Sequence, residues 1–152
     1  MTREMTLAID CGGGGIKGSV VDERGTMMAP ARRVPTPYPL PPELLVETVV
    51  GLAKVLPPAT RVTMGMPGMI RHGVVIATPH YITRDGPRSR VLPELVERWD
   101  HFDMGRAIEA ALGLPTKVLN DAEVAGAGAI TGRGLEMIIT LGTGLGNAVF
   151  DG

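Results

Sequence analysis

The segment AIDCGGGGIKG, residues 8–18, places four consecutive glycines directly after an apolar run that is typical of a buried strand. Glycine inside a regular element costs about 0.5–1 kcal/mol relative to alanine, so four in a row indicate a special backbone requirement. A second strand-like run, residues 16–22, follows at once. The segment predicts a hairpin whose turn uses positive φ angles and is either simply tight or holds backbone N–H groups against an anion.

The composition is that of a globular protein. Of the 152 residues 44% are hydrophobic, which suits a packed core and argues against disorder. A net charge of −1 provides no positive field for nucleic acid, and no apolar run approaches the ~20 residues that span a bilayer. The single cysteine, Cys11, excludes a disulfide framework within the chain. We therefore expect a cytoplasmic protein with neither a nucleic acid nor a membrane as partner.

The order of the predicted elements indicates an α/β fold. Three strands, the third an edge strand because of its prolines, precede an alternation of helices and strands. They predict an antiparallel meander extended by parallel strands through helical crossovers. The result is a mixed sheet of βββαβαβα type with helices on both faces, the ribonuclease H-like unit of actin-like ATPases. The predicted strands are residues 5–10, 16–22, 26–37, 61–68, 73–79 and 115–120, and the predicted helices are residues 41–56, 103–113 and 121–132, with a basic loop at 83–93.

A second strand, glycine turn and strand begin at residue 136 and include LGTGLG, residues 141–146. Because this repeats the opening of the chain, residues 1–135 are predicted to form one actin-like domain and residues 136–152 the first strands of another. Two such turns, one in each half, are suited to holding a polyphosphate between them. The final DG is a hairpin signal without a returning strand, and natural proteins avoid unpaired edges. We expect a piece of a longer protein, the alternative being a short C-terminus that frays.

Two charged side chains flank the first glycine turn. Asp10 ends the first predicted strand and is suited to holding Mg²⁺ directly or through water, and Lys17 to contacting a phosphate. The alternative is an ordinary turn with Lys17 on a solvated face. Cys11 is predicted to be a small packed residue, and metal-ligand spacing is lacking in all three histidines, which we expect on the surface or in the core: His72, His80 and His101.

The motif NDAE, residues 120–123, lies where a predicted strand meets a predicted helix. Asn120 is a good N-cap, and Asp121 and Glu123 suit the first turn of a helix. Ligands of open α/β sheets bind at the carboxyl ends of the strands, which is the other interpretation of this motif. Asp121 would then face a cleft and accept the proton of a substrate hydroxyl, and the sequence leaves both interpretations open.

Four motifs together resemble the ROK family of sugar kinases and sugar-responsive repressors, and within it the polyphosphate glucokinases. They follow one another in the same order as in that family and cover nearly the whole chain: AIDCGGGGIKGSVVD, GMPG, ALGLPTKVLNDAEVAGAG and TLGTGLGNAVFDG. The resemblance implies two actin-like domains around a cleft. It implies phosphoryl transfer from ATP or polyphosphate, with Mg²⁺, to a hexose hydroxyl such as the 6-hydroxyl of glucose. Family members are often dimers, so a homodimer is expected on the same ground.

The resemblance also assigns roles to particular residues. Asn120 and Asp121 would bind sugar hydroxyls, with Asp121 as the catalytic base, and Gly68 would offer its backbone to the sugar. The residues that would hold the donor phosphates are Asp10, Gly12, Gly13, Gly14, Lys17, Gly142, Thr143 and Gly144.

The chain departs from the family pattern at three places. Gly14 replaces a usual Ser or Thr, His80 stands where an Asn is usual, and the segment 81–103 is longer than expected. Two alternatives therefore stay open beside the kinase: a non-catalytic sugar-sensing domain of the repressor type, and a half-domain that binds phosphate without turnover. We expect the 152 residues alone to be inactive, because one wall of the cleft would be missing.

Overall fold

The computed structural model describes residues 3–141 and 145–152 of the chain. This part contains nine strands and four helices. The strands are β1 (Met5–Cys11), β2 (Ile16–Asp22), β3 (Arg32–Val34), β4 (Arg61–Met66), β5 (Met69–Arg71), β6 (Val74–Ala77), β7 (Thr116–Asn120), β8 (Leu135–Leu141) and β9 (Leu145–Asp151), and the helices are α1 (Pro42–Lys54), α2 (Pro93–Trp99), α3 (Met104–Leu112) and α4 (Asp121–Ala127).

Five strands form one mixed sheet in the order β3-β2-β1-β4-β7. β1, β2 and β3 are an antiparallel meander, and β4 and β7 continue the sheet as parallel neighbours on the other side of β1. β3 lies at the edge and has only 3 residues, as expected for a segment with prolines that cannot donate to a ladder. The predicted meander and parallel extension are therefore confirmed.

Helices pack on both faces of this sheet. A methyl group on Gly18 of β2 would lie 3.6 Å from Leu52 of α1, and one on Gly65 of β4 would lie 3.3 Å from Val124 of α4. Gly18 and Gly65 pair with successive residues of β1, which point to opposite faces. Asp10 is the partner of Gly65, so its side chain lies on the face that carries α4.

The core lies mainly between the sheet and α1, α2 and α3. α1 begins with a proline in its first turn and buries residues three or four apart, Leu45, Val49 and Leu52. α3 is capped by Asp103, which accepts from the Arg106 N–H, and ends at Gly113 with φ of +67°. These two residues are the first and the last of the helix predicted over 103–113. Trp99 is 2% exposed and its Nε1 donates to the Leu40 carbonyl at 2.9 Å, so it anchors the core.

The strand predicted over 73–79 is present as β6, and it pairs with β5 in a hairpin outside the main sheet. Two predicted boundaries were wrong. The strand predicted over 26–37 is only Arg32–Val34, because prolines flank it on both sides. The helix predicted over 121–132 ends at Ala127 and is followed by Gly128, because glycine has the poorest helix propensity after proline. Gly132 instead has φ of +74° in the turn that precedes β8.

β8 and β9 pair only with each other, as an antiparallel hairpin that packs on α4. Ala148 of β9 is buried, and a methyl group on Gly126 of α4 would lie 2.5 Å from the Phe150 ring. The opposite face of the hairpin is apolar and exposed. Within the described residues, the helices are all too short or too polar to be membrane spans.

Candidate functional site

A cleft of about 920 Å³ lies on the α4 side of the sheet, between the first glycine turn and the start of α4. Its walls come from four places: the β1–β2 turn, the β4–β5 turn, the β7–α4 junction and the β8–β9 hairpin. The lining residues include Asp10, Gly12, Gly13, Lys17, Pro67, Gly68, Pro79, His80, Asn120, Asp121, Glu123, Thr140, Leu141, Leu145, Gly146 and Asn147.

The first glycine turn is fixed by hydrogen bonds to its outer side. The Gly12 N–H donates to the Gly15 carbonyl at 2.9 Å. The Gly12 carbonyl accepts from Thr36 Oγ1 at 2.8 Å and from the Tyr81 hydroxyl at 3.3 Å. The N–H groups of Gly13 and Gly14 donate to no acceptor in the described part of the chain. The turn is therefore held in place and leaves two amide donors unpaired, one on the buried Gly13 and one on the exposed Gly14.

The four glycines are not explained by positive φ angles, and that prediction was wrong. Close packing accounts for two of them. A methyl group on Gly13 would lie 2.6 Å from Pro87 Cγ, and one on Gly15 would overlap the Arg33 guanidinium, which donates to the Gly14 carbonyl at 2.8 Å. Among the described residues, nothing lies within 4 Å of the position of a Cβ on Gly14, so neither these neighbours nor a positive φ angle requires a glycine there.

Asp10 and Lys17 lie opposite each other across β1 and β2 at the mouth of the cleft. The Asp10 carboxylate is 3.8 Å from Lys17 Nζ, and both side chains are more than half exposed. At this separation both groups remain accessible to a ligand. In the described part of the chain, no three metal-ligating side chains come together. Mg²⁺ usually takes one or two carboxylates, with phosphates and waters completing its shell, so a single accessible Asp10 fits this ion.

Asn120 serves both interpretations of the NDAE motif. Its Oδ1 accepts from the Ala122 N–H at 2.8 Å, and Glu123 accepts from its backbone N–H at 3.1 Å, which together form a capping box. Its Nδ2 donates to the Gly68 carbonyl at 2.7 Å. Asp121 follows at the first helical position, is partly buried and lines the cleft. The cap fixes the start of α4, and Asp121 Oδ1 accepts from the Ala122 N–H at 2.9 Å, which orients this carboxylate.

Gly68 is held where only glycine fits. Its φ is +118°, and a methyl group there would overlap the Ala77 carbonyl and lie 2.9 Å from the Thr78 Cα. Thr78 Oγ1 donates to the Pro67 carbonyl at 3.0 Å, so the β4–β5 turn and the end of β6 are joined. The backbone of Gly68 is therefore part of the cleft wall and is rigidly positioned beside Asn120.

The structure brings two further residues to this site. His80, expected on the surface or in the core as a histidine and noted as a departure from the family pattern, lines the cleft. Tyr81 is buried and supports the glycine turn from a distance of 69 residues along the chain, and burial raises the pKa of its hydroxyl well above the ordinary value. Burial likewise raises the pKa of the Cys11 thiol. Cys11 is fully buried, as predicted for a packed residue.

The predicted site residues in the described part of the chain come together. One cleft is lined both by predicted donor-side residues and by predicted sugar-side residues. The donor-side residues are Asp10, Gly12, Gly13 and Lys17, and the sugar-side residues are Gly68, Asn120 and Asp121. Gly14 is in the same turn. Gly142, Thr143 and Gly144 lie outside the described residues, but their neighbours Leu141 and Leu145 line this cleft. One cleft is thus lined by the glycine turn with its unpaired amide donors, by the Lys17 ammonium, by the Asp121 carboxylate and by the Asn120 amide.

Comparison with known proteins gives matches along nearly the whole chain. The family model described as ROK family matches residues 6–152. The chain is 31% identical to a glucokinase of Streptomyces coelicolor over 153 residues, which cover 97% of this chain and 44% of that protein. It is 28% identical to a polyphosphate glucokinase of Mycobacterium tuberculosis over 156 residues, which cover 97% and 54%. The chain therefore spans about half the length of these curated relatives.

Among solved structures, an inorganic polyphosphate/ATP-glucomannokinase from Arthrobacter sp. strain KM superposes with a TM-score of 0.76 at 33% identity, covering 99% of this chain and 59% of that one. The predicted actin-like, ribonuclease H-like fold is thereby confirmed. With both the order of the motifs and the mixed sheet in agreement with the family match, the chain belongs to the ROK family.

Proposed function

We propose that the complete protein is a sugar kinase that transfers a phosphoryl group from ATP or polyphosphate to a hexose hydroxyl, with the 6-hydroxyl of glucose as the acceptor. The observation that carries this proposal is the single cleft, which has the glycine turn and Lys17 on one side and Asn120 and Asp121 on the other. The glucokinase and polyphosphate glucokinase relatives support the same reaction class. A cytoplasmic location and a homodimer belong to the same proposal.

On the donor side, the free N–H groups of Gly13 and Gly14 would bind phosphate oxygens, and Lys17 would add a positive charge. Enzymatic phosphoryl transfer has a loose transition state with charge spread over the equatorial oxygens, so positioning and charge stabilisation do most of the work. Asp10 would hold Mg²⁺, which neutralises charge on the donor phosphates. Gly142, Thr143 and Gly144 belong to this donor side by resemblance only.

On the acceptor side, Asp121 would accept the proton of the attacking hydroxyl. Its carboxylate already accepts from the Ala122 N–H at 2.9 Å through Oδ1, which orients the side chain and leaves Oδ2 for the substrate. Asn120 and the Gly68 backbone, joined by their 2.7 Å hydrogen bond, would bind neighbouring sugar hydroxyls. A positioned general base typically contributes about 10²–10⁴-fold to the rate.

We also propose that the β8–β9 hairpin begins a second actin-like unit. It does not join the main sheet, it contacts the first unit through α4, and the residues on its outer face are apolar and exposed. Such a face is suited to packing against further structure. Residues 1–135 would then form the first domain, and the cleft would lie between the two units.

The proposed reaction is tested by Asp121→Asn in the complete gene product, with glucose as acceptor and ATP and polyphosphate supplied in turn with Mg²⁺. We expect kcat to fall by about 10²–10⁴-fold, since the carboxylate that accepts the proton is removed. Asp100→Asn is the matched control, because Asp100 is exposed and does not line the cleft.

Near-normal turnover in a correctly folded Asp121→Asn protein would contradict the assignment of the base. A wild-type protein that binds glucose but phosphorylates it with neither donor would instead indicate a sugar-sensing domain. Thermal melting curves of both variants establish whether the fold is intact.

A further inference from the structure

We propose that His80 contacts the terminal phosphate of the phosphoryl donor, an inference that rests on the proposed function and assigns a donor contact to a further residue. His80 lines the cleft, and its Nδ1 is buried with no hydrogen-bond partner in the described part of the chain. Buried polar atoms are nearly always hydrogen-bonded, so an unpartnered one on a residue that lines a cleft points to a ligand.

The position of Nδ1 favours the donor side of the cleft. A methyl group on Gly13 would lie 3.9 Å from His80 Nδ1. The Gly13 N–H is itself free of acceptors in the described residues. His80 Nδ1 therefore lies near Gly13, and both residues carry an unpaired polar group in the described residues. An imidazole N–H and an amide N–H on neighbouring residues are suited to two oxygens of one phosphate group.

The backbone around His80 is held firmly, so the ring is positioned before any ligand arrives. The His80 carbonyl accepts from Thr83 Oγ1 at 2.9 Å, and the Tyr81 N–H donates to the Thr78 carbonyl at 3.1 Å. The buried Tyr81 ring packs on Trp99 with 5.6 Å between ring centroids. A turn anchored by the core in this way gives the imidazole little freedom to leave the glycine turn.

A linear polyphosphate and a nucleoside triphosphate both end in a phosphate that is joined through a phosphoanhydride bond. In both, the terminal phosphate is anionic and offers acceptor oxygens, which is what a donor pair such as Gly13 N–H and His80 Nδ1–H recognises. The contact does not depend on a nucleobase. We therefore expect His80 to respond to both ligands.

The experiment is an NMR titration of the uniformly ¹⁵N-labelled complete gene product with tripolyphosphate, and separately with ATP and with glucose, at constant pH and ionic strength. Long-range ¹H–¹⁵N correlations report the ring nitrogens of the three histidines in the chain. His72 and His101 are exposed, do not line the cleft and serve as internal controls. We expect the His80 Nδ1 signal to shift with the same dissociation constant as the Gly13 amide, while both controls stay unchanged.

Two variants extend the test. His80→Phe keeps a planar ring without a donor, and we expect the dissociation constant for tripolyphosphate to rise about tenfold, as for loss of one hydrogen bond to a charged group. His80→Asn keeps a side-chain N–H, and we expect a smaller rise. Equal losses in the two variants, with both proteins folded, would overturn the proposed hydrogen bond.

The outcomes separate the two proposals. If the Gly13 amide shifts with tripolyphosphate but the His80 ring does not, the donor site stands and the role of His80 is refuted. The same holds if glucose alone shifts the His80 ring. If no ligand shifts Gly13, Lys17 or Asp121, the proposed function itself fails and the assignment of His80 fails with it.

Discussion

The four glycines of the first turn are alike in the sequence and differ in what surrounds each of them. Gly13 packs against Pro87 and Gly15 against Arg33, whereas Gly14 faces open space. Neighbouring atoms therefore require a glycine at positions 13 and 15. At position 14, neither the described neighbours nor a positive φ angle requires one. Because Gly14 is also where the chain departs from the family pattern, the usual serine can be introduced there and its effect measured.

Gly14→Ser should leave the melting temperature nearly unchanged, because nothing lies within 4 Å of the new Cβ. If the turn binds donor phosphates, the added hydroxyl should tighten tripolyphosphate binding by about two- to tenfold, the usual value of one hydrogen bond. Calorimetric titration and thermal melting measure the two effects.

Gly13→Ser is the matched control in the same turn. Its Cβ would lie 2.6 Å from Pro87 Cγ, so the turn or the loop around Pro87 must shift. We expect a loss of about 1–3 kcal/mol in the free energy of unfolding, as is usual for overpacking. A stable Gly13→Ser protein together with an unstable Gly14→Ser protein would show that the turn is arranged differently.

At the scale of the elements, strand ends are fixed by specific polar contacts. The end of β2 is an example, because the Asp22 carboxylate accepts from the Thr26 N–H at 2.8 Å, the Arg24 N–H at 3.0 Å and Arg3 at 2.6 Å. These bonds, that to Thr26 first, lower the pKa of Asp22. The turn after β2 therefore depends on a charged carboxylate.

The lowered pKa gives the stability a pH dependence with a definite sign. A carboxyl group whose pKa is lower in the folded state stabilises the fold above the pKa of the unfolded chain, about 3.9, and loses this contribution as pH falls towards its folded pKa. Asp22→Asn should lower the melting temperature by several degrees at pH 7. The difference from wild type should shrink below about pH 4.

Melting temperatures measured from pH 7 down to pH 2 test this expectation. Asp85→Asn is the control, since Asp85 is exposed and pairs only with its neighbour Arg84. A constant difference between wild type and Asp22→Asn across the whole range would rule out the charge of Asp22 as the cause.

At the scale of the whole molecule, the β8–β9 hairpin is apolar on both faces. The inner residues pack on α4, and the outer face carries large apolar side chains that are each 55–85% exposed: Leu135, Met137, Ile139, Leu141, Leu145 and Val149. Exposed apolar surface that is contiguous on one sheet face promotes association. This is the feature expected if a second unit covers the hairpin in the complete protein.

The 152-residue chain should therefore associate with itself and bind a hydrophobic dye. Ile139→Lys places a charge in the middle of the outer face and should reduce the association constant at least tenfold. Val55→Lys is the matched control, since Val55 is 63% exposed at the end of α1 and away from the hairpin. Sedimentation velocity over a range of concentrations makes the measurement, and a strictly monomeric wild-type chain would contradict it.

Some of the fold follows from the sequence because its signals are local. Apolar runs of 5 to 7 residues predicted the β1–β2 hairpin, and the Asp103 and Gly113 caps predicted α3. The NDAE motif predicted both the start of α4 and a carboxylate at the carboxyl end of a strand. In each case the backbone preference of a few adjacent residues was sufficient.

Other features were decided only by tertiary structure. Tyr81 supports Gly12 across 69 residues and Pro87 explains Gly13, although no pattern near either of them in the sequence indicates this. The sequence of β6 is typical of a strand but does not indicate its partner. β6 pairs with β5, because the path of the chain after β4 determines which strand lies beside it. Local sequence determines which backbone conformations are favourable, whereas the neighbours of a side chain are set by how distant segments fill the same space. For that reason the sequence determined the strands, caps and turns of this protein, and packing decided which residues share its cleft.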